Sequence, residues 1–268
     1  PLEISFEHRN YIGSWGIITA VVFCIFKLTN KPIYSFVAIG LLLTILCFYR
    51  ASLWGNANSM YPHMMAVHPQ SLRLKIIFAN TYTQAKQYDK ALSYLDSKTN
   101  LGVNLHRLYI NCKEHNHLPS KAILNSLSTT NIKIGTYEME GIITLANLGL
   151  DNECQFSHHE FLQFLNFVML LPIINPVAEQ KLLLYMAHYQ QDLGQTQEAL
   201  TSLELSFSED SSNPIPLFLK IEWLIAAQRY ADAQQTFIIA KKAAKNSWQD
   251  YSDFIQRINS ALAQQESD

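Results

Sequence analysis

The chain has 268 residues and a formal net charge of −2, from 20 Lys and Arg against 22 Asp and Glu. This near-neutral balance excludes nucleic acid as the main partner, because nucleic-acid-binding proteins present a basic face. A hydrophobic content of 49% excludes a disordered chain, and four cysteines are too few for a disulfide-built scaffold. Charged residues reach only 16%, against roughly 25% in an ordinary soluble domain.

Part of this charge deficit lies in two apolar runs near the N-terminus. The first predicts a helix over about residues 10–28, and the second predicts a helix over 32–49. Both approach the roughly 20 residues that cross a bilayer. We therefore predict a two-helix membrane hairpin over residues 1–50, and the alternative is a pair of buried helices in a large soluble core.

The few basic residues near the hairpin predict its orientation. Lys27 and Lys31 flank the loop between the two runs, whereas Arg9 alone precedes the first run and Arg50 alone follows the second. Loops with an excess of Lys and Arg stay in the cytoplasm. We therefore expect a cytoplasmic hairpin loop, with the rest of the chain on the opposite side of the membrane.

Residues 51–268 are predicted to form a helical repeat domain. Segments 78–95, 186–203 and 220–237 align at equal offsets, and each contains an alanine followed four residues later by a large apolar residue. The pairs are Ala91 and Leu95, Ala199 and Leu203, and Ala233 and Phe237. The last two alanines are 34 residues apart, which is the tetratricopeptide (TPR) period. An alanine there lets two antiparallel helices pack closely, and Gly194 suits the turn between them.

About three further periods separate the first two aligned segments. Degenerate helical hairpins are predicted there, one within 105–127 and one formed by 137–148 with 158–171. An apolar helical stripe over 248–262 predicts a C-terminal capping helix. The predicted fold class is therefore all-α, with a two-helix membrane hairpin followed by a TPR-like α-solenoid.

Two motifs near the N-terminus resemble those of a known family. One is FEHRNYIGSWG over 6–16, ahead of a membrane helix, in which Gly13 stands where most members have proline. The other is Arg-x-x-x-Trp followed by His-Pro-x-Ser at the start of the repeats. The matching residues are Glu7, Arg9, Asn10, Tyr11, Ile12, Ser14, Gly16, Arg50, Trp54, His68, Pro69 and Ser71. Over roughly residues 3–105, the chain resembles bacterial membrane proteins that join a multi-spanning glycosyltransferase-like part to C-terminal TPRs, whose eukaryotic relatives are the transmembrane and TPR-containing O-mannosyltransferases.

This resemblance implies a bacterial inner-membrane protein with its TPR domain in the periplasm and with a polyprenyl-phosphate sugar as donor. The catalytic acid of such enzymes lies in an earlier extracytoplasmic loop, so this chain alone is not expected to be a complete enzyme, and we assign it no catalytic residue or cofactor. Arg9 is a candidate for binding the lipid phosphate, because its guanidinium matches phosphate oxygens, with Glu7 holding it in place. An interfacial anchor or an internal ion pair is the alternative for both residues.

The concave face of the repeats is the second candidate site, where a peptide or protein partner would bind. Its predicted polar contacts are Arg73, Asn80, Lys181 and His188, and a merely solvated surface is the alternative. No histidine pair has the HExxH spacing of a helical metal site, so no metal is predicted. Pairing of Cys112 with Cys154 in an oxidising periplasm is left open.

These patterns predict a membrane-anchored TPR interaction module that belongs to a glycosyltransferase-like membrane protein. A non-catalytic TPR scaffold for pilus or secretion assembly is the first alternative. A cytoplasmic TPR receptor with its hairpin loop outside the cell is the second.

Overall fold

A computed structural model describes residues 19–20, 22–24, 26–27, 32–55, 57–95, 100–128, 134–172, 176–245 and 249–265. These residues form helices and no strand, which confirms the predicted all-α class. The chain divides into two compact units, residues 1–71 and residues 72–268.

The first unit contains helices α1 (Pro32–Trp54) and α2 (Ala57–Val67). Helix α1 includes the predicted run 32–49, and its apolar side chains are exposed at successive positions around the helix. Examples are Leu41, Leu42, Leu43, Ile45, Leu46 and Phe48. Much of the predicted run 10–28 lies outside the described residues. Within the described part of the chain, no helix is found that combines the length and the apolarity needed to cross a membrane.

The second unit is a succession of helices joined by short connections. They are α3 (Leu72–Gln84), α4 (Tyr88–Ser93), α5 (Leu101–His115), α6 (Ala122–Asn125), α7 (Thr136–Leu150), α8 (His158–Met169), α9 (Pro176–Asp192), α10 (Thr196–Glu209), α11 (Ile215–Ala226), α12 (Tyr230–Lys245) and α13 (Ser252–Gln265). A 3-10 turn, Ser126–Ser128, follows α6. The helices predicted in 105–127, 137–148 and 158–171 are present as α5 with α6, α7 and α8.

Apolar residues of these helices form three core clusters along the second unit. The first joins α3, α4 and α5, the second extends from α5 to α9, and the third extends from α10 to α13. Helices that follow one another in the chain are also neighbours in space, as α9 is of α10 and α11 is of α12. Most of the packing is therefore between elements close in sequence.

The three aligned hairpins share one turn between their two helices. Five residues before the aligned alanine, the backbone adopts a left-handed conformation, with φ of 57° at Lys86, 75° at Gly194 and 58° at Gln228. The next residue donates its N–H to the carbonyl five positions earlier, at 2.8 Å in every case. This bond satisfies a carbonyl that the helix end leaves open. Gly194 therefore occupies the predicted turn, and Lys86 and Gln228 adopt the same conformation without being glycine.

The aligned alanines lie on the second helix of each hairpin. Ala91, Ala199 and Ala233 are each 0% exposed. The large apolar residues four positions later, Leu95, Leu203 and Phe237, are also buried. These burials agree with the role predicted for the two positions, in which the alanine allows close approach and the larger residue fills the adjoining core.

A disulfide joins Cys112 on α5 to Cys154 in the loop before α8, with Cα atoms 5.7 Å apart. Both cysteines are buried. Beside them, the N–H of Gln155 donates to the carbonyl of Asn116 and the N–H of Leu118 donates to the carbonyl of Gln155, each at 2.9 Å. The bond closes a loop with a sequence separation of 42 residues. In the loop-entropy account, closure of such a loop stabilises the fold by about 4 kcal/mol.

We predict that Ala233→Leu destabilises the fold and that Ala231→Leu, two residues earlier on the same helix, does not. Ala233 is buried in the third core cluster, whereas Ala231 is exposed. Overpacking at Ala233 is expected to cost about 1–3 kcal/mol, and an exposed exchange roughly 0.5 kcal/mol or less. Urea unfolding followed by circular dichroism measures the difference, and equal costs for the two variants would contradict the close helix crossing.

Candidate functional site

A cavity of about 560 Å³ lies between the first turns of α7 and α9. This size is within the range of small-molecule and peptide side-chain sites. We call it the α7–α9 cavity. It is lined by Ile134, Gly135, Thr136, Met139, Glu140, Ile143, Thr144, Ala178 and Lys181. The cavity is therefore built by two helices that are 26 or more residues apart in sequence.

Close contacts place α7 beside α5 and α9. A Cβ atom at Gly141 would lie 2.7 Å from the Cβ of Leu105, so α7 and α5 approach more closely than a larger residue would allow. A Cβ atom at Gly149 would collide with the hydroxyl of Tyr189 on α9. Both glycines have ordinary helical conformations, so the backbone conformation does not require glycine there. The close packing of the neighbouring helices does.

Hydrogen bonds hold the start of α7, which forms one wall of the cavity. The carboxylate of Glu138 accepts the N–H of Gly135 at 3.0 Å, and this bond caps the helix. The N–H of Ile134 donates to the carbonyl of Pro172 at 3.3 Å, which ties the segment before α7 to the segment after α8. Two hydrogen bonds therefore hold the segment that leads into α7, one to the first turn of α7 and one to the segment after α8.

The seam between α7 and α9 closes just beyond the cavity, less than one turn after Thr144 on α7 and one to two turns after Lys181 on α9. Tyr185 donates its hydroxyl to Oδ1 of Asn147 at 2.8 Å, and Tyr189 donates to the carbonyl of Ala146 at 2.8 Å. Burial raises the pKa of both tyrosines, so they stay protonated as donors near neutral pH. These bonds bridge the seam, and the cavity lining ends at Thr144 and Lys181 before it reaches them.

The floor and the rim of the α7–α9 cavity differ in chemistry. Ile134, Met139, Ile143 and Ala178 supply apolar surface. Exposed Glu140 and Lys181 supply one charge of each sign, and the hydroxyls of Thr136 and Thr144 add polar groups; Thr144 donates to the carbonyl of Glu140 at 2.7 Å. The site is suited to a ligand with an apolar body and with polar ends of opposite charge.

The structure places the four predicted groove residues on two helices. Lys181 lines the α7–α9 cavity. His188 lies two turns further along α9, half-buried, with its ring edge-on to Trp223 of α11 at 5.6 Å. Burial lowers its pKa, partly opposed by Asp192. Arg73 and Asn80 lie on α3, where the buried carbonyl oxygen of the Asn80 amide has no described hydrogen-bond partner.

Of these four residues, the cavity thus contains Lys181 alone. Binding of a peptide at the others stays a prediction. Glu7 and Arg9 lie outside the described residues. The aligned repeats do not extend to α7, so the repeat pattern does not single out Glu140. The four-residue spacing of Thr136, Glu140 and Thr144 nevertheless places these three residues on one helical face.

The His158–His159–Glu160 run makes local structural contacts. Nδ1 of His158 is 3.4 Å from the carboxylate of Asp192, and His159 is hydrogen-bonded to Gln163 at 3.0 Å. Buried Glu160 accepts the backbone N–H groups of Lys121 at 2.7 Å and of Ile123 at 3.2 Å, so that it caps the short helix α6. In the described part of the chain, no group of His, Cys, Asp and Glu is arranged to hold a metal ion.

His106, in the middle of α5, is the most buried histidine that the structure describes. It is 1% exposed, and neither ring nitrogen hydrogen-bonds to a described residue. Burial lowers its pKa to about 4, because a charged imidazolium would lose its hydration. The ring is therefore neutral at pH 7 and contributes to the core as a packing group.

Comparison of the chain with protein-family models, with curated proteins and with solved structures finds no match.

We predict that His106 makes the fold acid-sensitive. The unfolded chain takes up a proton at His106 below about pH 6.5, whereas the folded chain does so only below about pH 4. Stability contributed by the neutral ring is therefore present above pH 6.5 and is lost as pH falls toward 4. Between pH 7 and pH 4.5 the loss is about 2–3 kcal/mol.

Denaturant unfolding at the two pH values tests this prediction. His106→Leu is expected to remove that part of the pH dependence, whereas His115→Leu, at an exposed position of the same helix, is expected to retain it. The same loss on acidification in His106→Leu and in the unmodified protein would refute the assignment.

Proposed function

We propose that this chain is a membrane-anchored protein-interaction module, in which the second unit is a TPR-like α-solenoid that binds a partner outside the cytoplasm. The observation that carries the proposal is the identical construction of three hairpins. Each has a left-handed turn residue, a fully buried alanine five positions later and a buried large apolar residue four positions after that. Equal units that stack on their neighbours form extended binding surfaces, which repeat proteins use for interaction.

The membrane anchor is proposed for residues 1–50. Its support is the charge-free run 32–49 and the exposure of large apolar side chains around α1. A helix that is apolar on all sides needs either a large protein core or lipid around it. Contiguous exposed apolar surface of this kind is rare on soluble monomers.

The proposed location of the second unit is the periplasmic side of a bacterial inner membrane. The disulfide between Cys112 and Cys154 supports an oxidising compartment, because such bonds persist in the periplasm and are rare in the cytosol. The two lysines at the hairpin loop, Lys27 and Lys31, favour the same orientation by the positive-inside rule. Disulfide and charge pattern are independent observations.

The proposed context is a glycosyltransferase-like membrane protein that uses a polyprenyl-phosphate sugar. This part of the proposal rests on the sequence resemblance over residues 3–105, including the His68-Pro69-x-Ser71 start of the repeats. Glu7 and Arg9 would then act at the lipid phosphate. The second unit would position a protein substrate or partner beside the membrane.

Labelling of an introduced cysteine tests the topology. In a Cys24→Ser, Cys47→Ser background, Ser211→Cys provides an exposed thiol, while Cys112 and Cys154 are paired. A membrane-impermeant maleimide is expected to label this protein in cells whose outer membrane is permeabilised. Asn30→Cys, in the predicted hairpin loop, is the matched control and is expected to react only after lysis.

Labelling of Ser211→Cys only after lysis would refute the periplasmic placement. Release of the protein from membranes by alkaline carbonate would refute the anchor. Labelling of Cys112 or Cys154 without prior reduction would show that the disulfide does not form in the cell.

Photo-cross-linking tests the interaction surface. A benzoylphenylalanine in place of Leu184, one turn after Lys181 on α9, is expected to form an adduct with a protein partner in intact cells. The same group in place of Leu205, an exposed residue on α10, is the control. An adduct from Leu205 and none from Leu184 would contradict partner binding along α9.

A further inference from the structure

The two charged residues at the rim of the α7–α9 cavity, Glu140 and Lys181, are both exposed. Neither Glu140 nor Lys181 forms an ion pair with a described residue, although they line the same cavity. Elsewhere in the second unit, lysines do pair with nearby carboxylates. Examples are Lys113 with Glu153 and Lys220 with Glu204. The cavity therefore keeps its opposite charges apart, on two different helices.

Hydrogen bonds between α7 and α9 limit how far a ligand can extend along the seam beyond the cavity. Just beyond it, the bonds from Tyr185 to Asn147 and from Tyr189 to Ala146 bridge α7 and α9. An extended polypeptide would have to cross these bridges in order to continue along the seam. A compact ligand that ends inside the cavity meets no such barrier.

The charges restrict the ligand further. A dianion would be repelled by Glu140 and a dication by Lys181, whereas a zwitterion complements both. The apolar floor of Ile134, Met139 and Ile143 requires apolar side chains between the charged ends. A cavity of about 560 Å³ has room for two amino-acid residues with large side chains.

We infer that the α7–α9 cavity binds a short zwitterionic peptide, of dipeptide size and with apolar side chains. Its ammonium group contacts Glu140, its carboxylate contacts Lys181, and its side chains lie on the apolar floor. This inference does not depend on the proposed membrane anchoring or on partner binding. If membrane anchoring or partner binding were disproved, the inference about the cavity would still stand. If the inference failed, both of those proposals would still stand.

Calorimetric titration of the full 268-residue chain in detergent micelles tests the inference. The ligand is the dipeptide Phe-Leu, compared with N-acetyl-Phe-Leu, which lacks the ammonium group, and with Phe-Leu amide, which lacks the carboxylate. Each blocked peptide is expected to bind about fivefold to tenfold more weakly, because it loses one charge-assisted contact at a partly exposed site.

The variants Glu140→Gln and Lys181→Met assign each end of the peptide. Glu140→Gln is expected to weaken Phe-Leu but to leave N-acetyl-Phe-Leu no weaker than in the unmodified protein. Lys181→Met is expected to weaken the binding of Phe-Leu but to leave the binding of Phe-Leu amide no weaker than in the unmodified protein. Glu179→Gln, on α9 but outside the cavity lining, is the matched control. It is expected to bind each of the three peptides with the same affinity as the unmodified protein.

Any of four results would overturn the inference. One is the absence of saturable Phe-Leu binding by the unmodified protein, which needs no variant. Another is equal affinity for the free and the blocked peptides. The third concerns the variants. It is that acetylation of Phe-Leu weakens its binding to Glu140→Gln as much as to the unmodified protein, or that amidation of Phe-Leu weakens its binding to Lys181→Met as much as to the unmodified protein. Filling the cavity with Ile143→Trp is expected to abolish binding, and unchanged binding by this variant, once circular dichroism shows it folded, also counts against the cavity.

Discussion

Close approach of neighbouring helices at small residues is the constraint on which the rest of the second unit depends. Ala91, Ala199 and Ala233 are completely buried on the second helices of their hairpins, and Gly141 lets α7 approach α5 closely. A larger side chain at any of these positions would separate two helices. Because every hairpin packs on the next, such a separation would displace its neighbours and open the core clusters.

The turns and the disulfide also hold the helices in their packed positions. The left-handed residues Lys86, Gly194 and Gln228 reverse the chain with the same hydrogen-bond pattern, so each second helix returns along its partner. The bond between Cys112 and Cys154 ties α5 to the loop before α8. This part of the chain lacks the regular spacing of the three aligned hairpins. The degenerate middle of the unit thus has a covalent connection where the repeat pattern is weakest.

The α7–α9 cavity is a consequence of the same packing. Close contacts of Gly149 and Tyr189 hold the far ends of α7 and α9 together, while their first turns leave space between Thr136 and Lys181. Glu140 and Lys181 reach this space from different helices, and the bridging tyrosines limit its length. The ligand chemistry that we infer therefore follows from how two helices meet, and neither helix would show it alone.

The amino-acid sequence by itself determined the helical class, the apolar run in α1 and the three hairpins, because these depend on periodicity and on residues a few positions apart. It placed the aligned alanines and Gly194 correctly for the same reason. It did not show that Glu140 and Lys181 line one cavity, nor decide whether Cys112 meets Cys154, nor show that Glu160 caps α6. Each of these arrangements brings together residues about 40 positions apart, and only the tertiary structure decided them. The physical reason is that the positions of α7 and α8 relative to α5 and α9 depend on side-chain packing, which has no regular spacing in the sequence.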